Sequence, residues 1–309
     1  MNRLAGIIVA VIGFLIVVLS IMKVIPVLTQ TGIFLILLGG LIIGLSFIPK
    51  PDLDDTPRMS TANTLVAIFY SPGEVFQNLR RHPRWLAALF IMTILSAVFF
   101  NLFLMRLTPE RVTNYAIDKT LEMPLVANNE DARKNVEIGR SNAIEQNKNP
   151  VLRAGQAVNG FVGQVFLYAI LGAVFFLFAL AMGGSINYWQ AFSAAVYAYF
   201  PVAVIKFILN SVILFIKDPT DIHPIIGQSS LIQDNLNFLV KPSEHAVLYT
   251  LLSSFSLLAI FWIWMNATGL KNSGEKVTPT IAWSASLTVF FIMVLLGVVF
   301  SWMFSGFMS

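Results

Sequence analysis

The chain has 309 residues, of which 57% are hydrophobic and 12% are charged, and its formal net charge at pH 7 is +4. Soluble domains carry about 25% charged residues, so this composition indicates a multi-pass helical membrane protein. The modest positive charge fits basic residues retained on one side of a membrane better than it fits nucleic-acid binding. The absence of cysteine excludes disulfides, thiolate metal sites and cysteine nucleophiles.

Seven apolar runs predict membrane-spanning helices, since a helix needs about 20 residues to cross the hydrocarbon layer. A cleaved signal peptide is the alternative for the first run. That run exceeds the roughly 7–15 apolar residues of a signal peptide, and no small-residue cleavage site follows it. We therefore predict an all-α, polytopic membrane helix bundle with seven transmembrane helices, at residues 4–22, 33–48, 86–105, 160–182, 191–216, 247–270 and 281–304.

The first two runs form a predicted N-terminal hairpin. Gly6, Ala10 and Gly13 in the first run are spaced to pack against Gly40 and Gly44 in the second. Small residues let two helix backbones approach closely in lipid, which makes this contact structural.

The polar stretch after the hairpin predicts a solvated linker and then a short amphipathic helix in SPGEVFQNLRRHPRW. Ser71 and Glu74 match a capping box, with Pro72 at the first helical position. One apolar face of this helix is formed by Val75, Phe76 and Leu79. Such a helix is expected to lie in the headgroup layer.

Four residues at the far end of this helix form what we call the interfacial cluster: Arg80, Arg81, Arg84 and Trp85. Basic and tryptophan side chains at this position predict contact with anionic lipid or with a protein partner. The alternative interpretation, a topological anchor that obeys the positive-inside rule, is the favoured one.

Two polar segments interrupt the later runs. The insert at 106–159 balances basic and acidic residues, and its helix-start signals at Thr108 and Glu130 predict two solvated helices with little core. The segment at 217–246 contains the apolar patch LIQDNLNFLV, which is too short to cross a membrane and is expected at the interface.

Basic residues close to span ends predict the orientation. On the side that holds the N-terminus they are Arg3, Lys50, Arg58, Arg80, Arg81, Arg84, Lys271 and Lys276. Because basic residues near span ends stay in the cytoplasm, we predict a cytoplasmic N-terminus and an extracytoplasmic C-terminus.

Four stretches, in order, resemble the Ypt-interacting-protein (YIP) family in its bacterial form. SPGEVFQNLRRHPRW resembles the cytoplasmic segment before the first family span, and RLTPERV resembles the start of the external insert. GGSINYWQAFSAAVYAYFP resembles the signature turn and the tyrosine-rich helix after it. LLSSFSLLAIFWIWMNATGLKNSG resembles the segment that ends in a short glycine-containing loop. The resemblance covers roughly residues 65 to 309.

The resemblance implies a five-helix YIP-like membrane domain at 86–309 with an extracytoplasmic insert at 106–159, in a bacterial cytoplasmic (inner) membrane. The hairpin at 1–50 and the cytoplasmic linker and interfacial helix at 51–85 precede that domain. Eukaryotic relatives bind Rab-type GTPases and shape or sort vesicle membranes, whereas bacterial members have no comparably defined role. The resemblance therefore predicts the fold better than the function.

One position departs from the family pattern. Ser254 or Ser256 stands near the place where many members carry an aspartate. Any role of that segment that requires an acid is thereby put in doubt.

No pattern of catalytic residues is present. The motifs HExxH, GxxxxGK[ST] and GxSxG do not occur, and all sixteen carboxylates lie outside the predicted spans. Asp218, Asp221 and His223 could approach a metal ion together, but a proline-rich loop explains their polarity equally well. We therefore predict a protein that is not an enzyme, with no catalytic residue, no metal site and no cofactor.

Lys206 is the one formally charged side chain inside a predicted span. About eleven residues separate it from Lys217, roughly 16 Å of helix, so snorkelling to the surface would be strained. Exposing a charged lysine to lipid at that depth costs at least about 2.5–3.5 kcal/mol. Lys206 is therefore expected to face the bundle or a wet cavity.

Lys206 belongs to a predicted polar seam that also includes Tyr197, Tyr199, Pro201 and Asn210. Tyr199, Lys206 and Asn210 are spaced to share a helix face, and Pro201 frees the carbonyl of Tyr197. The seam would bind a lipid headgroup, an anion or a partner helix. The alternative is a structural lysine satisfied by carbonyls and Asn210, because no acid in a predicted span is available to pair with it.

Two functions fit these observations. The leading hypothesis is a non-enzymatic membrane scaffold or accessory subunit that binds other membrane proteins, lipids or a second copy of itself. The alternative is a transporter or permease with Lys206 in its path, which the lack of an obvious inverted repeat disfavours.

Overall fold

The computed structural model describes residues 3–25, 28–50, 57–242 and 244–303. Within these ranges the chain forms α-helices and two short 3-10 helices and no strand, which confirms the all-α class. The α-helices are α1 Arg3–Ile21, α2 Thr29–Leu45, α3 Thr61–Ala67, α4 Pro72–Arg81, α5 Leu86–Leu107, α6 Pro109–Glu122, α7 Pro124–Ala127, α8 Glu130–Lys148, α9 Pro150–Ala181, α10 Tyr188–Ile216, α11 Ile226–Ser229, α12 Ala246–Ser254, α13 Leu257–Ser273 and α14 Pro279–Met303.

Five of the described helices are long and apolar enough to cross a membrane, namely α1, α5, α9, α10 and α14. The pair α12 and α13 adds a sixth crossing if it is counted as one span bent by 49°. Helix α2 is apolar but has 17 residues, about 25 Å of helix against a hydrocarbon layer of about 30 Å. A multi-pass membrane architecture is confirmed, whereas the count of seven spans stays a prediction.

The chain divides into two compact units, each built from three separate stretches. Unit 1 comprises Met1–Ile94, Val151–Pro201 and Ile263–Leu287, and unit 2 comprises Leu95–Pro150, Val202–Trp262 and Thr288–Ser309. This division follows packing in space, so the predicted division along the chain at residues 50 and 85 stays a prediction.

In unit 1, α1 and α2 form an antiparallel hairpin through glycine contacts. Gly6 lies against Gly39 and Gly13 lies against Gly32. A Cβ atom added to Gly13 would stand 2.6 Å from the carbonyl oxygen of Gly32, a distance that real Cβ atoms do not adopt. The two backbones therefore touch directly, as small residues permit in lipid.

The prediction that Gly40 and Gly44 of α2 make this contact was wrong. A Cβ added to Gly40 or Gly44 would meet nothing within 4 Å, so both positions face away from α1. Gly32 and Gly39 are seven residues apart, which places them on one helix face two turns from each other. Gly6 and Gly13 are also seven residues apart. Because the two separations match, Gly6 can pair with Gly39 while Gly13 pairs with Gly32.

Helix α4 confirms the predicted amphipathic helix, with Val75, Phe76 and Leu79 fully buried. Its apolar face packs on protein, because a Cβ added to Gly269 would stand 3.0 Å from the Phe76 ring. Pro72 opens the helix, but the predicted capping box was wrong: the Ser71 side chain accepts no backbone N–H. The backbone at Ser71, with φ −133° and ψ 56°, departs from the extended conformation that N-cap residues adopt.

The insert in unit 2 confirms the two predicted solvated helices, α6 and α8. Thr108 caps α6 by accepting the N–H of Arg111, and α8 has no buried residue. Arg140 of α8 binds the carboxylate of Asp118 in α6 at 2.7 Å. Below α6 lies a small apolar cluster of Phe99, Phe103, Leu104, Leu107, Val112, Leu214 and Ile222.

The hairpin contact predicts a position-specific loss of stability. Gly13→Leu should destabilise the protein by about 1–3 kcal/mol, because the new side chain meets immovable backbone of α2. Thermal unfolding of the purified protein in detergent measures this effect. Gly40→Leu, which adds the same side chain in open space, is the matched control, and equal melting temperatures for the two variants would refute the contact.

Candidate functional site

The interfacial cluster is tied into unit 1 by polar contacts. The Arg80 guanidinium donates to the Glu275 carboxylate at 3.0 Å; the Arg80 side chain is half-exposed and that of Glu275 is exposed. An exposed ion pair of this kind is worth about 0–1 kcal/mol and opens readily. Arg84 donates to the hydroxyl of Thr64 and to the amide oxygen of Asn78. Burial lowers the pKa of Arg84, and its charge is opposed by nearby Arg58.

The other two members of the cluster differ in exposure. The Trp85 ring lies against Phe192, with 5.1 Å between ring centroids, whereas Arg81 is exposed. The contact of the cluster with anionic lipid or a partner stays a prediction. The exposed Arg81 and the half-exposed Arg80 are the members placed to make it.

A crevice of about 830 Å³ opens in unit 1 between α2 and α9, and we call it the lateral crevice. Its walls are apolar, and its polar residues lie together at the turn after α9. The lining consists of Leu41, Leu45, Ile48, Pro49, Phe166, Ala169, Ile170, Ala173, Phe176, Leu177, Ser185, Ile186, Asn187, Tyr188, Gln190 and Glu275. Pockets of about 300–1,000 Å³ with mainly apolar walls are typical of ligand sites.

Contacts join the two walls of the crevice. Away from the lining, a Cβ added to Gly155 of α9 would stand 2.9 Å from Leu28, just before α2. Within the lining, the Asn187 amide donates to the Pro49 carbonyl at 3.2 Å, and the neighbouring Trp189 indole donates to the Ile48 carbonyl at 3.3 Å. The crevice is thus a lateral window between two segments that also contact each other.

The polar side chains at the turn are mostly used to start α10. Asn187 accepts the N–H of Trp189, and Gln190 accepts the N–H of Asn187 while donating to the Arg80 carbonyl at 2.8 Å. These bonds satisfy backbone groups that the end of a helix leaves unpaired. The tyrosine hydroxyl of Tyr188 donates to the Ala169 carbonyl.

The polar seam divides between the two units. Helix α10 runs without interruption through Pro201, and Tyr197 and Tyr199 belong to unit 1. Tyr199 lies beside Tyr168, with 6.2 Å between ring centroids. The Tyr197 side chain is fully buried, and its hydroxyl has no hydrogen-bond partner among the described residues.

Lys206 and Asn210 belong to unit 2, where the segment after α10 folds back onto them. The Asn210 amide oxygen accepts the N–H of Leu231 at 2.8 Å. Asp234, three residues further along, attracts Lys206 electrostatically through space. Asp234 lies in a polar segment outside the predicted spans, so the expectation that no acid within a span pairs with Lys206 stays a prediction.

Asp234 also organises the break between α12 and α13. Its carboxylate accepts the N–H of Leu258 at 3.0 Å, and its main-chain carbonyl accepts the N–H of Leu257 at 3.3 Å. The Ser256 hydroxyl accepts the N–H of Ala259 at 3.0 Å. Together they satisfy the first amides of α13, and the negative charge is favourable at a helix N-terminus.

Sequence reasoning missed Asp234 and Glu275 as candidate residues. Both were noted only among the sixteen carboxylates outside the predicted spans. The signal available for Asp234 was its place inside the apolar patch LIQDNLNFLV, in which it is the only acid. No such signal marks Glu275 in the sequence.

The proline-rich loop in unit 2 holds His223 by both ring nitrogens. Its Nδ1 accepts the N–H groups of Ile225 and Ile226 at 3.1 Å each, and its Nε2 lies 3.0 Å from the Tyr115 hydroxyl. Because Nδ1 accepts, the neutral ring carries its proton on Nε2. The described residues contain no group of three His, Cys, Asp or Glu side chains that could hold a metal ion.

These features define a multi-pass α-helical membrane protein whose polar side chains concentrate at helix ends and at one broken span. A Yip1 domain matches residues 66–303, well over half of the chain. The chain therefore belongs to the Yip1 domain family, as the resemblance of its motifs predicts. The hairpin of α1 and α2 precedes the matched region. No curated protein and no solved structure matches the chain.

His223 predicts a pH dependence of stability. Burial, and then the positive charge of Lys119, lowers its pKa below the usual 6.5. The unfolded chain therefore binds the proton more readily, so stability is complete above about pH 7 and falls as the pH drops through about 6.5.

Thermal unfolding between pH 7.5 and 5 measures this effect. His223→Asn keeps an acceptor for the two amides but cannot be protonated. The variant should therefore lose less of its thermal stability than the parent does as the pH is lowered. His245→Asn, in the same polar segment, should leave the fall unchanged. A parent and a His223→Asn variant with the same pH dependence would contradict the assignment.

Proposed function

We propose that this protein is a non-enzymatic membrane scaffold or accessory subunit that binds lipids and other membrane proteins. Its place is the cytoplasmic membrane of a bacterium, and a second copy of the chain is one of the partners it is suited to bind. The lateral crevice is the observation that carries this proposal.

The chemistry of the crevice favours binding over reaction. Its walls are apolar, and the polar groups at the turn are engaged in holding α10 and the hairpin in place. Few of them are free to act on a substrate. A lateral window between two helices admits an apolar occupant from within the bilayer.

The orientation is part of the proposal. If α2 and the bent pair α12 and α13 each cross once, the chain crosses seven times. Basic residues near span ends then favour a cytoplasmic N-terminus and an extracytoplasmic C-terminus. A reporter fused after Ser309 that proved cytoplasmic would contradict this orientation.

Crosslinking and purification from native membranes test the scaffold function, with bound proteins and lipids identified together. The parent should retain a companion protein in fixed ratio together with bound lipid, and Ala173→Trp, which fills the crevice, should lose the lipid. Leu167→Trp, on an exposed face of α9 outside the crevice, is the matched control. Repeated recovery of the parent alone would refute the scaffold function.

A transporter is the second candidate, favoured by the broken span in unit 2. Discontinuous helices with a charged group at the break are typical of transporter binding sites. Asp234, which binds the first amides of α13, and Lys206, which it attracts, supply such a group, and carboxylate and lysine side chains near a broken span are suited to relay protons.

Proton flux into liposomes, followed with a trapped pH-sensitive dye, tests this candidate. If the protein conducts protons, Asp234→Asn and Lys206→Ala should each lower the flux of the parent towards that of protein-free liposomes. Glu244→Gln, at an exposed ion pair with Lys241, should leave it unchanged. Equal flux for parent and variants would remove both residues from the mechanism.

A further inference from the structure

The polar end of the lateral crevice contains a single charged lining residue, Glu275. Its backbone N–H donates to the Ser185 carbonyl at 2.8 Å, which holds the residue at the crevice mouth. One carboxylate oxygen accepts from Arg80 at 3.0 Å. Among the described residues, the second carboxylate oxygen accepts no hydrogen bond. The mouth of the crevice therefore offers a negative acceptor with an arginine beside it.

The neighbouring polar groups do not compete for a ligand. Gln190 and Asn187 bind backbone groups, and Tyr188 binds the Ala169 carbonyl. Glu275 is the charged residue of the lining, and Arg80 is its ion-pair partner. A ligand that enters here therefore meets a carboxylate and a guanidinium next to each other, at the polar end of the otherwise apolar crevice.

From this arrangement we propose that the lateral crevice binds a phospholipid with a primary-amine headgroup, of the phosphatidylethanolamine type. One acyl chain lies between α2 and α9 against Ala169, Ala173 and Phe176. The ammonium donates to the free oxygen of Glu275, and the phosphate accepts from Arg80. The proposal rests on the lipid-binding part of the proposed function and specifies its ligand.

Charge complementarity selects this headgroup over an anionic one. The positive charge of Arg80 is already matched by Glu275, so a headgroup with net negative charge would face the unmatched carboxylate oxygen. A headgroup that carries both an ammonium and a phosphate satisfies both side chains at once. A quaternary ammonium has no N–H and cannot donate the hydrogen bond.

The size of the crevice selects a lipid chain over a partner helix. A helix about 10 Å across would fill 830 Å³ with only about 10 Å of its length, some seven residues. The contacts at Gly155 and Asn187 hold α9 and the turn after it against α2 and its end, which leaves little width for a longer helix. A flexible acyl chain needs less width and fits between these contacts.

Native mass spectrometry of the detergent-purified protein tests the proposal. The protein is titrated with phosphatidylethanolamine, phosphatidylcholine and phosphatidylglycerol of identical acyl chains. The parent should bind the ethanolamine lipid about tenfold more tightly than the other two, the effect of one charge-assisted hydrogen bond. Glu275→Gln should remove this preference and still bind lipid, while Glu244→Gln should keep it.

Ala173→Trp separates the headgroup site from the crevice, and Leu167→Trp reports any general effect of a new tryptophan. Loss of all three lipids in Ala173→Trp alone, with loss of selectivity in Glu275→Gln, supports the proposal. An unchanged preference in Glu275→Gln, or tighter binding of phosphatidylglycerol by the parent, overturns the amine site but leaves a lipid-binding crevice. Unchanged lipid binding in Ala173→Trp overturns both the amine site and the crevice as a lipid site.

Discussion

Backbone amides left unpaired at helix ends are the constraint on which the rest of this structure depends, because an apolar layer offers them no water. In unit 2, Asp234 and Ser256 satisfy the first amides of α13 at the break in a span. In unit 1, Asn187 and Gln190 do the same at the start of α10. The few polar residues of this apolar chain are therefore used first to complete helix ends. Polar atoms that take no part in those contacts, such as the second carboxylate oxygen of Glu275, are available for binding.

Features that depend on neighbouring residues could be predicted from the sequence. Apolar runs located the five helices that are long enough to cross a membrane, and the apolar face of α4 and the cap at Thr108 followed from local spacing. Two faces of α2 carry glycines, and the sequence does not show which of these faces packs against α1. The sequence therefore predicted that the hairpin packs through small residues, whereas the three-dimensional structure was needed to identify Gly32 and Gly39 as the residues in contact.

Features that join distant segments could not be predicted in the same way. Arg80 and Glu275 are separated by 195 positions, and their ion pair depends on how α4 and the turn before α14 meet in unit 1. Lys206 stands out in the sequence, but Asp234, which attracts it electrostatically, lies in a segment expected at the interface. A charge in an apolar run shows that a partner is needed, and only the fold shows which residue supplies it.

The glycine hairpin also bears on the order in which the membrane domain assembles. Its contacts join residues close in sequence, such as Gly13 and Gly32, and contacts of that kind form early and fast. Helix α2 is therefore paired with α1 before α9 has been made. On the proposed lipid binding, the crevice takes up its acyl chain while α9 packs against α2. The lipid then takes part in the assembly of the domain as well as in its finished structure.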